Sequence, residues 1–245
     1  MKYLLVALGI FVSSMVHAQF GFYAEGGLNY ADMHVTRSAG EATGKGGAGW
    51  QAGVGVEYHT QFGYFLYLGT DLSSEQFKKD SSSLGFHSVV SHYVYKPLFV
   101  NVPFGIGYQF KLTKDIGLRV YGGLNTQIGV GGKVTRNTNY FTQDSVTGQP
   151  VHVGADNDTH KLNFGRSIQV QNEFRSDLAN TIWGLNIGAG LNFSKSIEIA
   201  VIYQEGLTNI LPGGDAAPEI NKLRSVTVNL KFYFPKNYYT IKQKL

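Results

Sequence analysis

The 245-residue sequence contains no cysteine, so neither disulfide stapling nor thiolate metal or redox chemistry is available to it. Proline is scarce at six residues, and charged residues make up only 16% of the chain. The formal net charge of +4, which becomes +3 without Lys2, goes with a pI near 9.0. So thin an excess gives no case for nucleic acid and only a weak preference for anionic lipid or lipopolysaccharide. What is abundant is glycine, at 31 residues, and aromatic side chains, at 13%. That balance describes a glycine-rich, aromatic-rich β protein. Mean hydropathy is -0.11, yet a membrane barrel carries its lipid-facing residues in every second position, where an average cannot see them.

Residues 1–18 have the form of a cleavable secretory leader. Lys2 supplies the positive region, residues 4–12 the apolar core, and Val16-His17-Ala18 the small-residue exit, so cleavage is expected before Gln19. The apolar run is shorter than the roughly 20 residues of a spanning helix, which argues against a membrane anchor. No later window is apolar enough to span as a helix.

From residue 20 onward, apolar and polar residues alternate with a period of two in eight stretches: 20–33, 50–59, 64–73, 98–110, 116–130, 183–193, 197–204 and 226–234. The connections between them run long, short, long, short, long, short, long. An even number of strands with short turns on one side and long loops on the other predicts an all-β fold, an eight-stranded antiparallel up-and-down transmembrane β-barrel of the bacterial outer membrane. The barrel is expected over residues 19–234, with a periplasmic C-terminal tail at 235–245. Ten strands is the rival count, if the hairpin at 140–153 enters the wall. A lipocalin-like soluble barrel would bury its apolar face. Here the polar face is dominated by Gly, Asn and Gln, small enough to fill a narrow lumen. The apolar face carries bulky aliphatics bracketed by Trp50, Tyr58, Tyr108, Phe110, Trp183 and Phe193, the expected lipid-facing aromatic girdle.

By the same parity Glu25, Glu57, Arg119, Glu198 and Lys231 point into the lumen. Three acids and two bases at similar depth suggest an ionic plug, because buried charges are costly unless paired. The alternative is that each sits singly in residual water near the rim. Phe232 and Phe234, at the end of the last strand, are candidates for the assembly signal.

Three stretches carry a family resemblance: Pro97-Leu98-Phe99-Val100-Asn101-Val102-Pro103, Val120-Tyr121-Gly122-Gly123-Leu124, and Tyr203-Gln204-Glu205-Gly206-Leu207-Thr208-Asn209. On these the mature chain resembles the PorT-like outer-membrane β-barrel family, also called the outer membrane protein beta-barrel domain family. Where members often have a Glu-Ile-Pro step, this chain has Asn101-Val102-Pro103, and it continues past the terminal aromatic Phe234. The resemblance implies an integral outer-membrane protein, with some relatives acting as accessories of protein secretion, and it implies no catalytic residue.

Enzyme and metal signatures are weak. His34, His87, His92, His152 and His160 fall in expected loops, but nothing fixes a Ser, a His and an acid together. Asp156-Asn157-Asp158-Thr159-His160 lacks the glycine and terminal Glu of a calcium loop, and a polar turn is expected instead. Gly129-Val130-Gly131-Gly132-Lys133 lacks the Ser/Thr of a phosphate loop. No catalytic residue, metal ligand or cofactor is assigned.

The long connection at 135–181 holds too many apolar residues for a solvated tail, among them Tyr140, Phe141, Val151, Val153, Phe164, Ile168, Val170 and Phe174. Its first half is expected as a hairpin above the membrane. Its second half is expected as a lid or as an edge strand offered to a partner, with structural capping as the plain alternative. Two functions remain open: a structural or interaction protein docking envelope or secretion proteins, or a porin-like barrel passing or holding a small solute.

Overall fold

Strands form where alternate residues must meet different surroundings, and in this chain they close into a ring. The computed structural model describes residues 19–36, 44–83, 87–144, 149–165, 168–170, 173–175, 177–193, 196–211 and 220–234. The expected leader and tail lie outside them. The elements are β1 (Gln19–Thr36), β2 (Gly44–His59), β3 (Tyr64–Ser83), β4 (His87–Lys111), β5 (Ile116–Gln143), β6 (Pro150–Lys161), β7 (Ile168–Val170), β8 (Glu173–Arg175), β9 (Thr181–Phe193), β10 (Ile197–Gly206) and β11 (Ile220–Tyr233). Eight of them form the wall in the order β4-β3-β2-β1-β11-β10-β9-β5, and β4 pairs with β5 to close it. All wall pairings are antiparallel.

The register fixes the barrel's dimensions. A row of paired residues that starts at Tyr58 passes through Leu66, Ile106, Gly122, Ile187, Tyr203, Val226 and Tyr30 and returns to β2 at Ala48, ten residues away. With strands about 4.8 Å apart and about 3.3 Å per residue, that offset over eight strands gives a tilt of about 40° and a backbone radius of about 8 Å. Such an interior has room for side chains and little else.

Side-chain parity follows the pleat. Phe22, Leu28, Val54, Leu68, Ile106, Ile187 and Val228 stand exposed on the outer face, while Tyr23, Asn29, Gln51, Asn101, Tyr121, Asn186 and Asn229 are buried inside. Eight residues separate Tyr58 from Trp50 along β2, and ten separate Phe193 from Trp183 along β9. At about 40° of tilt these are heights of about 20 and 25 Å, close to the roughly 25 Å apolar band of outer-membrane barrels.

Above that band the strands continue further than the alternation predicts. The long connection expected between the stretches at 64–73 and 98–110 is instead largely paired strand, with Lys78 opposite Val94 and Ser83 opposite Val89. Likewise β1 and β2 reach into the connection expected between the stretches at 20–33 and 50–59, to Thr36 and from Gly44. Outside a membrane both faces of a strand meet water or polar neighbours, so the period of two fades although the ladder persists.

β5 changes partner on the way up. Ile116 to Ile128 pair with β9, and Lys133 to Gln143 pair with β6. The switch falls at Gly132, whose φ of 127° suits glycine, and beyond it the buried residues change from odd to even numbers, as at Val134 and Thr138. β6 therefore joins the sheet above the wall and adds no strand to it, which leaves eight and sets aside the ten-strand alternative. The upper parts of β3, β4 and β5 with β6 make a four-stranded fin on one side of the mouth.

Val54 lies midway between Tyr58 and Trp50 on the outer face, so Val54→Arg is expected to cost about 2 to 4 kcal/mol in lipid vesicles, while Val54→Leu stays near neutral. Urea titration of the folded barrel measures both. Equal tolerance would contradict the assigned facing.

Candidate functional site

The interior begins with the charges that parity turns inward. Arg119 on β5 is 1% exposed and lies against two acids, donating to Glu57 Oε2 at 2.7 Å and to Glu198 on β10. Tyr233 closes the group: its hydroxyl accepts from Arg119 and lies 3.1 Å from Glu57 Oε1 and 2.7 Å from Glu198 Oε2. His59 Nε2 lies 2.9 Å from Glu57 Oε2 on the short-turn side. The guanidinium also stacks over the Phe65 ring, 3.9 Å from its centroid. Every charge here has a charged partner, which is what makes so dry a site tolerable.

A second layer pairs Lys231 with Glu25 at 3.6 Å, and Asn229 donates to the same carboxylate at 2.7 Å. The ammonium sits 4.8 Å from the Tyr23 ring and 5.0 Å from that of Tyr121. Tyr67 donates to Asn186 Oδ1 at 2.7 Å across the lumen. Rings of this size fit because inward glycines face them: a Cβ on Gly107 would lie 2.2 Å from Phe65, and one on Gly188 would lie 2.5 Å from Tyr121. The abundance of glycine on the inner face is thus a packing requirement.

Two further buried acids stand above these layers, both on β3. Asp71 accepts from Asn101 at 2.6 Å, and Glu75 accepts from Gln127 at 3.0 Å. The period of two over 64–73 also turns Asp71 inward, and carried two residues further the same parity reaches Glu75. Between the layers is a cavity of about 20 Å³ lined by residues that include Tyr23, Glu25, Tyr67, Asp71, Pro103 and Lys231. That is room for about one water.

The mouth at the long-loop end is closed by apolar side chains. Met33, Phe77, Tyr95, Phe99, Val134, Ile182, Ile210 and Leu223 form one buried cluster with Leu162 and Leu178, which come from the segment after β6. Phe164 joins them, its ring 5.9 Å from that of Phe99, in space that a side chain on Gly129 would fill. Backbone bonds hold this lid to the wall: Leu162 N to Gly132 O, Gly129 N to Asn180 O, and Ala179 N to Ile210 O. The second half of the long connection therefore folds back as a lid through Leu162, Phe164 and Leu178.

The remaining sequence candidates are spread through the fold. His34 lies on β1, His87 and His92 on β4, and His152 and His160 on β6, so these histidines occupy strands where loops were expected. The stretch from Asp156 to His160 is likewise strand β6, paired with β5, and not a turn. Above the apolar band, a hydrogen bond with His92 and the neighbouring Lys45 ammonium hold the Asp80 carboxyl below its ordinary range. Trp50, Phe110 and Trp183 are exposed on the outer face, and Tyr58, Tyr108 and Phe193 are partly covered by neighbours such as Phe20 and Tyr64. Phe20, Tyr30, Tyr64 and Tyr203 share that face, although the sequence reading left them out of the girdle. Phe232 and Phe234 stand exposed near the short-turn end of β11.

Truncating Arg119 leaves Glu57 and Glu198 buried without a counter-charge. Arg119→Ala is expected to destabilise the folded barrel by about 3 to 5 kcal/mol in detergent, whereas Arg119→Met combined with Glu57→Gln and Glu198→Gln recovers much of the loss. Denaturant midpoints give the comparison, and a single variant as stable as the wild type would contradict it.

The chain is similar to solved structures of Neisserial surface protein A (10% identity, 89% of this chain and 99% of that one, TM-score 0.35) and OprG of Pseudomonas aeruginosa (11%, 89% and 97%, TM-score 0.35). It is also similar to Ail, the attachment invasion locus protein of Yersinia pestis (13%, 87% and 99%, TM-score 0.31). No curated protein sequence matches it. Residues 13–211 match the family described as the outer membrane protein beta-barrel domain. With its ring of eight antiparallel strands, the chain belongs to that family and is a barrel of the bacterial outer membrane.

Proposed function

We propose that this protein is a closed barrel with a structural or interaction role and not a pore. The observation that carries the reading is the filled interior, with Arg119 locked between Glu57, Glu198 and Tyr233 below and the Leu162, Phe164 and Leu178 lid above. Glu25, Glu57, Arg119, Glu198 and Lys231 act in this reading as an ionic plug. The cavity lined by Tyr23, Glu25, Tyr67 and Lys231 holds about one water, too little for a diffusing solute. The six aromatics named from the sequence, with Phe20, Tyr30, Tyr64 and Tyr203, anchor the barrel at the two membrane interfaces. Phe232 and Phe234 serve the assembly machinery.

The working surface is then the fin and lid, which rise on the extracellular side if the short turns are periplasmic. β6 supports this: among the described residues it pairs with β5 alone, and its side chains are exposed on both faces over most of its length. An open strand edge of this kind is a template for an added strand from another envelope or secretion protein. A role as an accessory of secretion, in the manner of the PorT-like resemblance, is the finer form of the same reading.

Planar-bilayer recording tests it. The folded wild-type protein is expected to show no discrete openings, and removal of residues 162–180 together with Arg119→Gly is expected to produce them. Stable unitary conductance from the wild type would overturn the closed-barrel reading and favour a solute-passing one.

A further inference from the structure

Three lysines stand side by side on the outer face where β4, β5 and β6 meet. Lys96 pairs with Lys133, and Lys133 pairs with Lys161. All three are exposed, and none of them forms an ion pair with another described residue. Neighbours across a strand pair have Cβ atoms about 4.5 to 5.5 Å apart, and like charges at that distance destabilise the sheet. The next row up, Lys78, Val94, Thr135 and Thr159, offers no carboxylate to relieve them. Among the described residues no ion pair relieves the repulsion.

The height of the row says what meets it. On β4 the outward apolar run from Phe110 ends at Leu98, and on β5 the run from Leu118 ends at Val130. Lys96 and Lys133 are the next outward side chains on their strands. Fourteen residues separate Phe110 from Lys96, a rise of about 35 Å at a tilt of about 40°, against an apolar band about 25 Å tall. The ammonium groups therefore lie at headgroup level, directly above wall that faces acyl chains.

We propose that Lys96, Lys133 and Lys161 form a binding site for the phosphate groups of an outer-leaflet glycolipid, whose acyl chains lie against Leu98, Val100, Ile128 and Val130 below. An anion bridging three adjacent ammonium groups turns a destabilising row into a complementary one. The apolar wall beneath selects a lipid over a free anion. The inference rests on the outer-membrane placement of the barrel and is independent of whether its lumen conducts.

The test uses the folded full-length barrel in neutral detergent, with binding read by native mass spectrometry. The probes are diphosphorylated lipid A and the same lipid with its phosphates removed. The wild type is expected to bind the phosphorylated form about a hundredfold more tightly than Lys96→Gln/Lys133→Gln/Lys161→Gln does, from roughly fivefold per lysine at a membrane surface. Added salt should narrow that difference. Lys111→Gln/Lys114→Gln, at the opposite rim, should bind like the wild type. Because the triple variant removes repulsion, its unfolding midpoint without lipid should equal or exceed that of the wild type, which separates lost binding from lost folding. Equal binding by the triple variant would overturn the site, as would equal affinity for the dephosphorylated lipid. Complete displacement of the lipid by inorganic phosphate would reduce it to a free-anion site and overturn the lipid assignment.

Discussion

The interior depends on one guanidinium. Arg119 is buried at a level where the wall leaves a radius of about 8 Å, and it is held by two carboxylates, a phenol and an aromatic face. The small radius follows from the register, since eight strands offset by ten residues admit only one size of ring. A ring that narrow must be filled, and filling it with charge demands pairing. Four strands supply the partners: Glu57 from β2, Phe65 from β3, Glu198 from β10 and Tyr233 from β11. One side chain on β5 is thereby tied to strands all around the barrel.

The two ends of the lumen are filled by opposite chemistry. Near the short turns the filling is ionic and aromatic, fixed by directional contacts that specify register. At the mouth it is apolar, contributed partly by a segment that has left the wall and returned. This division suits the topology, because short turns offer no spare chain to fold inward, whereas the connection after β6 has length to bring Leu162, Phe164 and Leu178 over the opening. Glycine serves both ends by absence, with Gly107 making room for Phe65 below and Gly129 for Phe164 above.

Much of this was legible in the sequence, for a physical reason. Inside a bilayer each residue meets either lipid or lumen, so every wall strand announces itself by parity. The same parity turns Arg119, Glu57, Glu198, Glu25 and Lys231 inward. Above the apolar band that constraint ends and the alternation fades: the expected hairpin reaches only to residue 153, residues 156–160 of β6 read as a polar turn, and the tall ends of β3 and β4 read as loop. Which charges touch was equally hidden. Arg119 and Glu198 are 79 residues apart in the chain and meet only through the barrel's closure and shear. The lysine row was invisible for the same reason, since nothing local to Lys96, Lys133 or Lys161 reveals that they are neighbours.

The most direct measurement is nitrogen-15 NMR of the arginine side chains in the folded barrel, with Arg119→Lys used to assign the Arg119 signals. A guanidinium fixed in a dry lumen should give separate Nη resonances, slow rotation and slow proton exchange with water. A single averaged resonance exchanging as fast as that of a solvated arginine would contradict the claim that this cluster fills and closes the lumen.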